Sequence, residues 1–189
     1  MPEFLLNTLG LSHRFMAEHI RPGSRCIDAT AGRGRDTLFL CRLVGETGRV
    51  TALDIQPAAV EATRTLLAAE GCAARTEVVQ DCHSHIARYA APGTVDGIMF
   101  NFGWLPGGDH RIFSAADTSR AAVRAALPLL RPGGVMSLCL YYGRENGTAE
   151  RDAVLAELAA ADPGTYTVLR ADFLTRTGDV PIPVFVVRG

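Results

Sequence analysis

Four polar side chains stand where short apolar runs end. Asp28 closes Arg25–Ile27, Asp54 closes Arg49–Leu53, Asp81 follows Glu77–Gln80, and Asn101 ends the run from Val95. Three carboxylates and an amide at the ends of parallel strands would meet on one sheet edge, where open α/β sheets bind ligands. After the first of them the chain reads Asp28-Ala29-Thr30-Ala31-Gly32-Arg33-Gly34-Arg35-Asp36-Thr37. Two glycines let this backbone approach a ligand closely and aim amide N–H groups at an anion near a helix start. Asp54, one strand later, can accept hydrogen bonds from both hydroxyls of a ribose.

The turn argues about which nucleoside binds. A dinucleotide site wants a third glycine where Thr37 stands, and a carboxylate at position 28 would repel a pyrophosphate. S-adenosylmethionine fits better: its ammonium near Asp28, its carboxylate on the turn, its ribose on Asp54, its adenine by Asp81 and Cys82. NAD(P) is the competing reading, and purely structural roles for Asp28 and Asp54 are the plainest alternative.

A second constellation follows the fourth apolar run: Asn101-Phe102-Gly103-Trp104-Leu105-Pro106-Gly107-Gly108-Asp109, holding the chain's one tryptophan. An asparagine carbonyl can hold an amine, and flanking aromatics can stack on a planar base. Methyl transfer is an in-line displacement that needs a neutral nucleophile facing the methyl. Asn101 would orient such an amine, or Asp109 would deprotonate it; Trp104 and Phe102 could equally fill the core. After the fifth run, Tyr142 could stack on a base and Arg144 contact a phosphate, or both could be ordinary loop residues. His83 faces adenine or substrate, or caps a short helix. With His85 it makes a pair short of further ligands, so no metal is expected.

These groups need a scaffold, and the pattern supplies one. Strands are predicted at Arg25–Ala29, Arg49–Asp54, Glu77–Gln80, Val95–Asn101, Val135–Tyr141, Tyr166–Phe173 and Pro183–Arg188. Helices are predicted at Asp36–Leu43, from Pro57 to about Glu70, Ser84–Tyr89, Thr118–Leu130 and about Ala149–Ala160, with an added one over Phe4–Ile20. Arg131–Gly134 reads as a turn. Strands alternating with helices imply a mainly parallel, seven-stranded Rossmann-like sheet covered on both faces, and the last two strands, lacking a helix between them, form an antiparallel pair at one edge.

The 189 residues, 48% hydrophobic and 21% charged, suit one globular domain over residues 1–189. No run approaches a membrane span and the start lacks a signal-peptide pattern, so a cytoplasmic protein is expected, away from the membrane. A net charge of −1 gives no global field toward nucleic acid. All nineteen basic residues are arginine, which rules out lysine chemistry but leaves a phosphate-binding cluster open. The five cysteines form no CxxC pair, against a disulfide framework or zinc site.

The segments Asp28–Thr37, Asp54-Ile55-Gln56, Asp81-Cys82-His83, Asn101–Asp109 and Tyr141-Tyr142-Gly143 together resemble the YtqB/MnmM-like methyltransferases, long labelled rRNA methylases. The resemblance runs in order across nearly the whole chain, with Asn101–Asp109 its most diagnostic part. It implies a class I fold, S-adenosylmethionine, and methylation of the aminomethyl group of 5-aminomethyl-2-thiouridine at the tRNA wobble position. It places Asp28, Gly32, Gly34, Asp36, Thr37, Asp54, Gln56, Asp81, His83 and Asn101 along the cofactor; Thr30, Ile55 and Cys82 complete that lining. Gly103, Leu105, Pro106, Gly107, Gly108 and Asp109 would lie near the transferred methyl, Gly103 also touching the cofactor. The chain departs from the pattern at Arg33 and Arg35, where smaller or uncharged polar residues are usual, and at Arg144, where histidine is common. The expected partner is the tRNA anticodon region, gripped by Arg33, Arg35, Arg111 and Arg144, with a homodimer as family precedent. An rRNA or small-molecule methyltransferase, or a non-catalytic RNA-binding module, are the alternatives.

Overall fold

The computed structural model describes residues 7–103, 115–142, 145–176 and 178–189. Seven strands form one sheet: β1 (Arg25–Asp28), β2 (Arg49–Asp54), β3 (Thr76–Gln80), β4 (Val95–Phe102), β5 (Leu130–Leu140), β6 (Tyr166–Arg170) and β7 (Ile182–Arg188). Their spatial order is β3-β2-β1-β4-β5-β7-β6, with β1 to β5 parallel. The terminal pair does lie at one edge and is antiparallel, as the missing crossover helix implies. The reversed strand is the inner one: β7 runs antiparallel to β5, and β6 forms the outer edge.

Helices α1 (Thr8–His19), α2 (Arg35–Val44) and α3 (Pro57–Ala69) cover one face, α4 (Ala116–Ala126) and α5 (Glu145–Ala159) the other. Each helix buries a 3.6-period stripe against strands whose side chains alternate between the faces. On α2, Leu40, Cys41 and Val44 are buried against the sheet while Arg35 and Arg42 stay exposed. Pro57 opens α3 at the position where its missing N–H costs nothing.

Several boundaries differ from the sequence reading: the helix predicted over Ser84–Tyr89 is a 3-10 turn, His83–Arg88, and the strand predicted over Tyr166–Phe173 ends at Arg170. Two further differences have a plain cause. Arg131–Gly134 is not a turn before β5 but lies within it: Val95 pairs with Leu130 and Gly97 with Val135, so the extra residues bulge out between these registers. The predicted helix over Thr118–Leu130 stops at Ala126 and tightens into a 3-10 turn, Leu127–Leu129, around Pro128.

Helix α1 packs across β5 and β7, with Met16 and Ile20 buried. Gly97 of β4 makes room for them: a Cβ there would sit 2.5 Å from Ile20 Cδ1 and 2.8 Å from Met16 Cε. The hydroxyls of Ser12 and Ser137 meet at 2.6 Å beneath the helix. Among the described residues no helix is long and apolar enough to cross a membrane.

Candidate functional site

The first four strands end side by side, and backbone bonds lock their ends together. Ala29 N–H donates to Met99 O at 2.9 Å, Ala31 N–H to Leu53 O at 2.8 Å, and Asp81 N–H to Asp54 O at 3.1 Å. Asp28, Asp54, Asp81 and Asn101 therefore share one rim. Alternation along the strands adds direction, because Asp28 has the parity of Cys26, Asp54 that of Val50 and Asn101 that of Met99. Those three partners belong to the core under α1, α2 and α3, so the rim's polar groups open onto that face.

The glycine turn is tied to this rim. Gly32 N–H donates to Asp54 Oδ2 at 2.8 Å, and Gln56 N–H donates to Asp54 Oδ1 at 2.9 Å. Gly34 caps α2 with φ +80°, and a Cβ on it would lie 3.0 Å from Thr63 Cα, so helix and turn meet only with glycine here.

Asp28 sits below the turn, almost completely buried. Thr37 Oγ1 donates to its Oδ2 at 2.5 Å and Thr30 N–H to its Oδ1 at 3.2 Å. Burial first, and the nearby Asp36 charge second, push its carboxyl up to about 7, against those two hydrogen bonds. A carboxyl held there by its own neighbours is one that a cationic ligand would restore to the charged form.

Asn101 is the end of a chain of side chains. Its Nδ2 donates to Asp36 Oδ2 at 2.5 Å, and His13 Nε2 shares a 2.6 Å hydrogen bond with Asp36 Oδ1. Its backbone N–H donates to Thr30 Oγ1 at 2.7 Å. A carboxylate only accepts, so Asp36 fixes which end of the amide it holds and leaves Oδ1 as the remaining acceptor. That oxygen is buried and has no hydrogen-bond partner among the described residues. A buried acceptor left unmet costs on the order of 1–3 kcal/mol, which a ligand N–H would recover.

The adenine side is more occupied than its sequence suggests. Asp81 accepts from His85 Nδ1 at 2.7 Å, Tyr89 OH at 2.7 Å, Cys82 N–H at 2.8 Å and Arg88 Nη1 at 3.4 Å. The His85 bond above all holds its carboxyl low, at about 2. His83 is packed edge-on against Phe102 and Phe100, its ring centroid 5.7 and 6.5 Å from theirs, and burial lowers its pKa to about 4. Cys82 is half-buried just before the 3-10 turn His83–Arg88, Gln56 lies beside Asp54, and the apolar Ile55 is 57% exposed between them. Gly103 packs on Tyr141, where a Cβ would come within 3.1 Å of Tyr141 Cβ. Tyr142 has one ring face covered by the Arg151 guanidinium, 4.7 Å from the centroid. Trp104, Leu105, Pro106, Gly107, Gly108, Asp109, Arg111, Gly143 and Arg144 lie outside the described residues.

His13 is the rim residue that sequence reasoning missed. Its contact with Asp36 spans 23 positions and exists only because α1 folds back over the sheet. The one available signal was a histidine beside the buried Ser12 on an amphipathic helix, which names no partner.

A mainly parallel sheet of this order, with an acidic rim at the ends of its first strands, is that of the class I, S-adenosylmethionine-dependent methyltransferases. The family profile described as "Putative rRNA methylase" matches residues 50–187, and the chain belongs to that family. A "putative rRNA-methylase" from Clostridium thermocellum superposes with a TM-score of 0.94 at 36% identity, covering 97% of this chain and 98% of its own. A "putative methyltransferase" from Streptococcus mutans, solved with SAH, gives 0.87 at 29% identity over 97% and 99%. A tRNA (mnm(5)s(2)U34)-methyltransferase, chloroplastic, of Arabidopsis thaliana is 36% identical over 155 residues, 77% of this chain. The chain spans 57% of that relative's length.

Proposed function

We propose that the protein is a tRNA N-methyltransferase acting on the aminomethyl group of 5-aminomethyl-2-thiouridine at the wobble position. The observation that carries this reading is the buried, unmet Oδ1 of Asn101, whose Nδ2 is held by Asp36. An acceptor in that position selects a nucleophile that still carries an N–H and points its lone pair away from the amide. An amine satisfies this. The name of the Arabidopsis relative supplies the particular amine.

When bound, S-adenosylmethionine supplies an electrophilic methyl group on its sulfonium. The residues present suit it: Asp28 answers its ammonium, the amides around Gly32 and Gly34 its carboxylate, and Asp54 its ribose. Ile55 offers an apolar surface to adenine, with Asp81 and Cys82 alongside; Gln56, Thr30, Thr37 and His83 complete the lining. Asp36 holds Asn101 rigid, so the substrate amine is oriented without reorganisation as it reacts. Asp109 is the candidate to take the proton that the amine gives up, and the Trp104–Gly108 segment to cover the reacting groups. The substrate region is the tRNA anticodon, the compartment the cytoplasm, and the working form a homodimer.

Purified protein should transfer labelled methyl groups to tRNA carrying the aminomethyl precursor and not to tRNA lacking it. Nucleoside mass spectrometry of tRNA from cells without the protein should show the precursor accumulating. Label confined to ribosomal RNA, or to no RNA while the cofactor binds, would overturn the assignment.

A further inference from the structure

A concavity lies apart from the cofactor rim. It is an open hollow of about 550 Å³ beside it, over the outer face of α2 and lined by His13, Arg33, Arg35, Phe39, Arg42 and Leu66 among others. Arg35, Phe39 and Arg42 recur at helical spacing, so one face of α2 carries two arginines whose Cα atoms lie about 10 Å apart along the axis, with an aromatic residue between them. The His13 ring stacks on Phe39, centroids 4.0 Å apart and planes within 9°, giving a flat platform at the bottom. Arg35 and Arg42 are exposed, and Arg42 is paired with Glu70 at 2.7 Å. Both partners of that pair are solvent-exposed, and such a pair is worth no more than about 1 kcal/mol, so it yields readily to a phosphate.

The geometry points to this hollow as the RNA-docking surface, with Arg35 and Arg42 on backbone phosphates of the strand that flanks the target nucleoside. The chain's net charge of −1 gives no general attraction to RNA, so a cationic face of this kind is a local feature. Guanidinium forks suit phosphate oxygens, and a stacked platform suits an unpaired base. The hollow also leads into the site, because His13 stands in its wall and bonds Asp36, which holds Asn101. This inference rests on the RNA reading of the proposed function and adds where the RNA lies.

The test is fluorescence anisotropy of a labelled anticodon stem-loop titrated with the full chain at several salt concentrations. Arg35→Gln and Arg42→Gln should each weaken binding about three- to tenfold and lower the salt slope by about one. Arg170→Gln, on the far sheet edge, should bind within twofold of wild type. Calorimetry with S-adenosylmethionine, unchanged within threefold for Arg42→Gln, shows that the variant is folded. A double Arg35/Arg42 variant that binds RNA as tightly as Arg170→Gln, or with an unaltered salt slope, overturns the docking surface, as does wild-type protein with no affinity for RNA. Methyl transfer is read separately: groove-dependent RNA binding without transfer to any tRNA sinks the proposed activity and leaves the docking surface standing.

Discussion

The two faces of the sheet are made by the same strands and do different things. On β4, Ile98, Phe100 and Phe102 point toward α4 and α5, while Gly97, Met99 and Asn101 point toward α1 and α2. The strands present an apolar surface on the first face, with His83 and the Ser119–Glu150 pair buried at its margins: the Phe100 and Phe102 rings stack at 4.9 Å, and Met136, Leu138 and Leu140 of β5 join them. The second face buries Ser137, Asp28 and Thr37 among its apolar groups and ends at the unmet oxygen of Asn101. Alternation lets one strand serve both ends, a dry face for stability and a polar face that a ligand completes.

The sharpest way to break that contrast is to weaken the dry face. Phe100→Ala should cost about 3–5 kcal/mol of stability, seen as a lower denaturant midpoint at unchanged slope. Cofactor affinity of the protein that remains folded should stay near wild type. Ser137→Ala, on the other face, should cost about 1 kcal/mol. Equal losses from the two substitutions would erase the distinction.

Next in size is Asn101→Ala. Losing the acceptor should lower single-turnover methyl transfer roughly 10²- to 10³-fold, within the range for a positioned group acting on a proton-bearing nucleophile. Stability should change little or fall by about 1 kcal/mol, because the variant no longer buries an unsatisfied oxygen but leaves Asp36 Oδ2 without its donor. Transfer at the wild-type rate would mean that the amine is oriented elsewhere.

The sequence made the dry face and the strand ends legible for different reasons. Apolar runs such as Val95–Phe100 and the glycine turn before α2 are local signals, so five parallel strands and the acidic rim could be placed from them. Three features depend on distant chain and could not. The bulge at Arg131–Gly134 follows from register against β4, the inner position of β7 from pairing with β5, and the His13–Asp36 bond from the fold of α1. Asp81 shows the converse case: its position was readable, but its engagement with His85, Tyr89 and Arg88 was not.

Asp28→Asn comes third and turns on pH. With its carboxyl raised to about 7 in the folded protein, the native state holds a proton that the unfolded chain releases near pH 4. Without ligand, this group therefore makes stability fall as pH rises from about 4 to 7. His83, held at about 4 by burial, acts in the opposite sense below its ordinary range and masks the trend in wild type. The difference between wild type and Asp28→Asn isolates it: the variant should gain relative stability toward neutral pH. At pH 6, cofactor binding to wild type should release close to one proton, measured by calorimetry in buffers of different ionisation enthalpy. Proton release that persists in Asp28→Asn would assign the titration to another group.

The smallest effect tests whether the polar face positions or merely packs. His13 touches neither nucleophile nor rim oxygen; it holds Asp36, which holds the Asn101 amide. His13→Ala should lower turnover on the order of tenfold by loosening that amide. The tRNA KM should rise too, since the same ring stacks on Phe39 in the docking hollow. His13→Gln keeps a donor for Asp36 and should recover most of the rate. Combined with Asp36→Asn, the two losses should fall short of additive, because both act through Asn101. A purely structural histidine would show the reverse pattern: lowered stability, unchanged turnover in the folded fraction, and no rescue by glutamine.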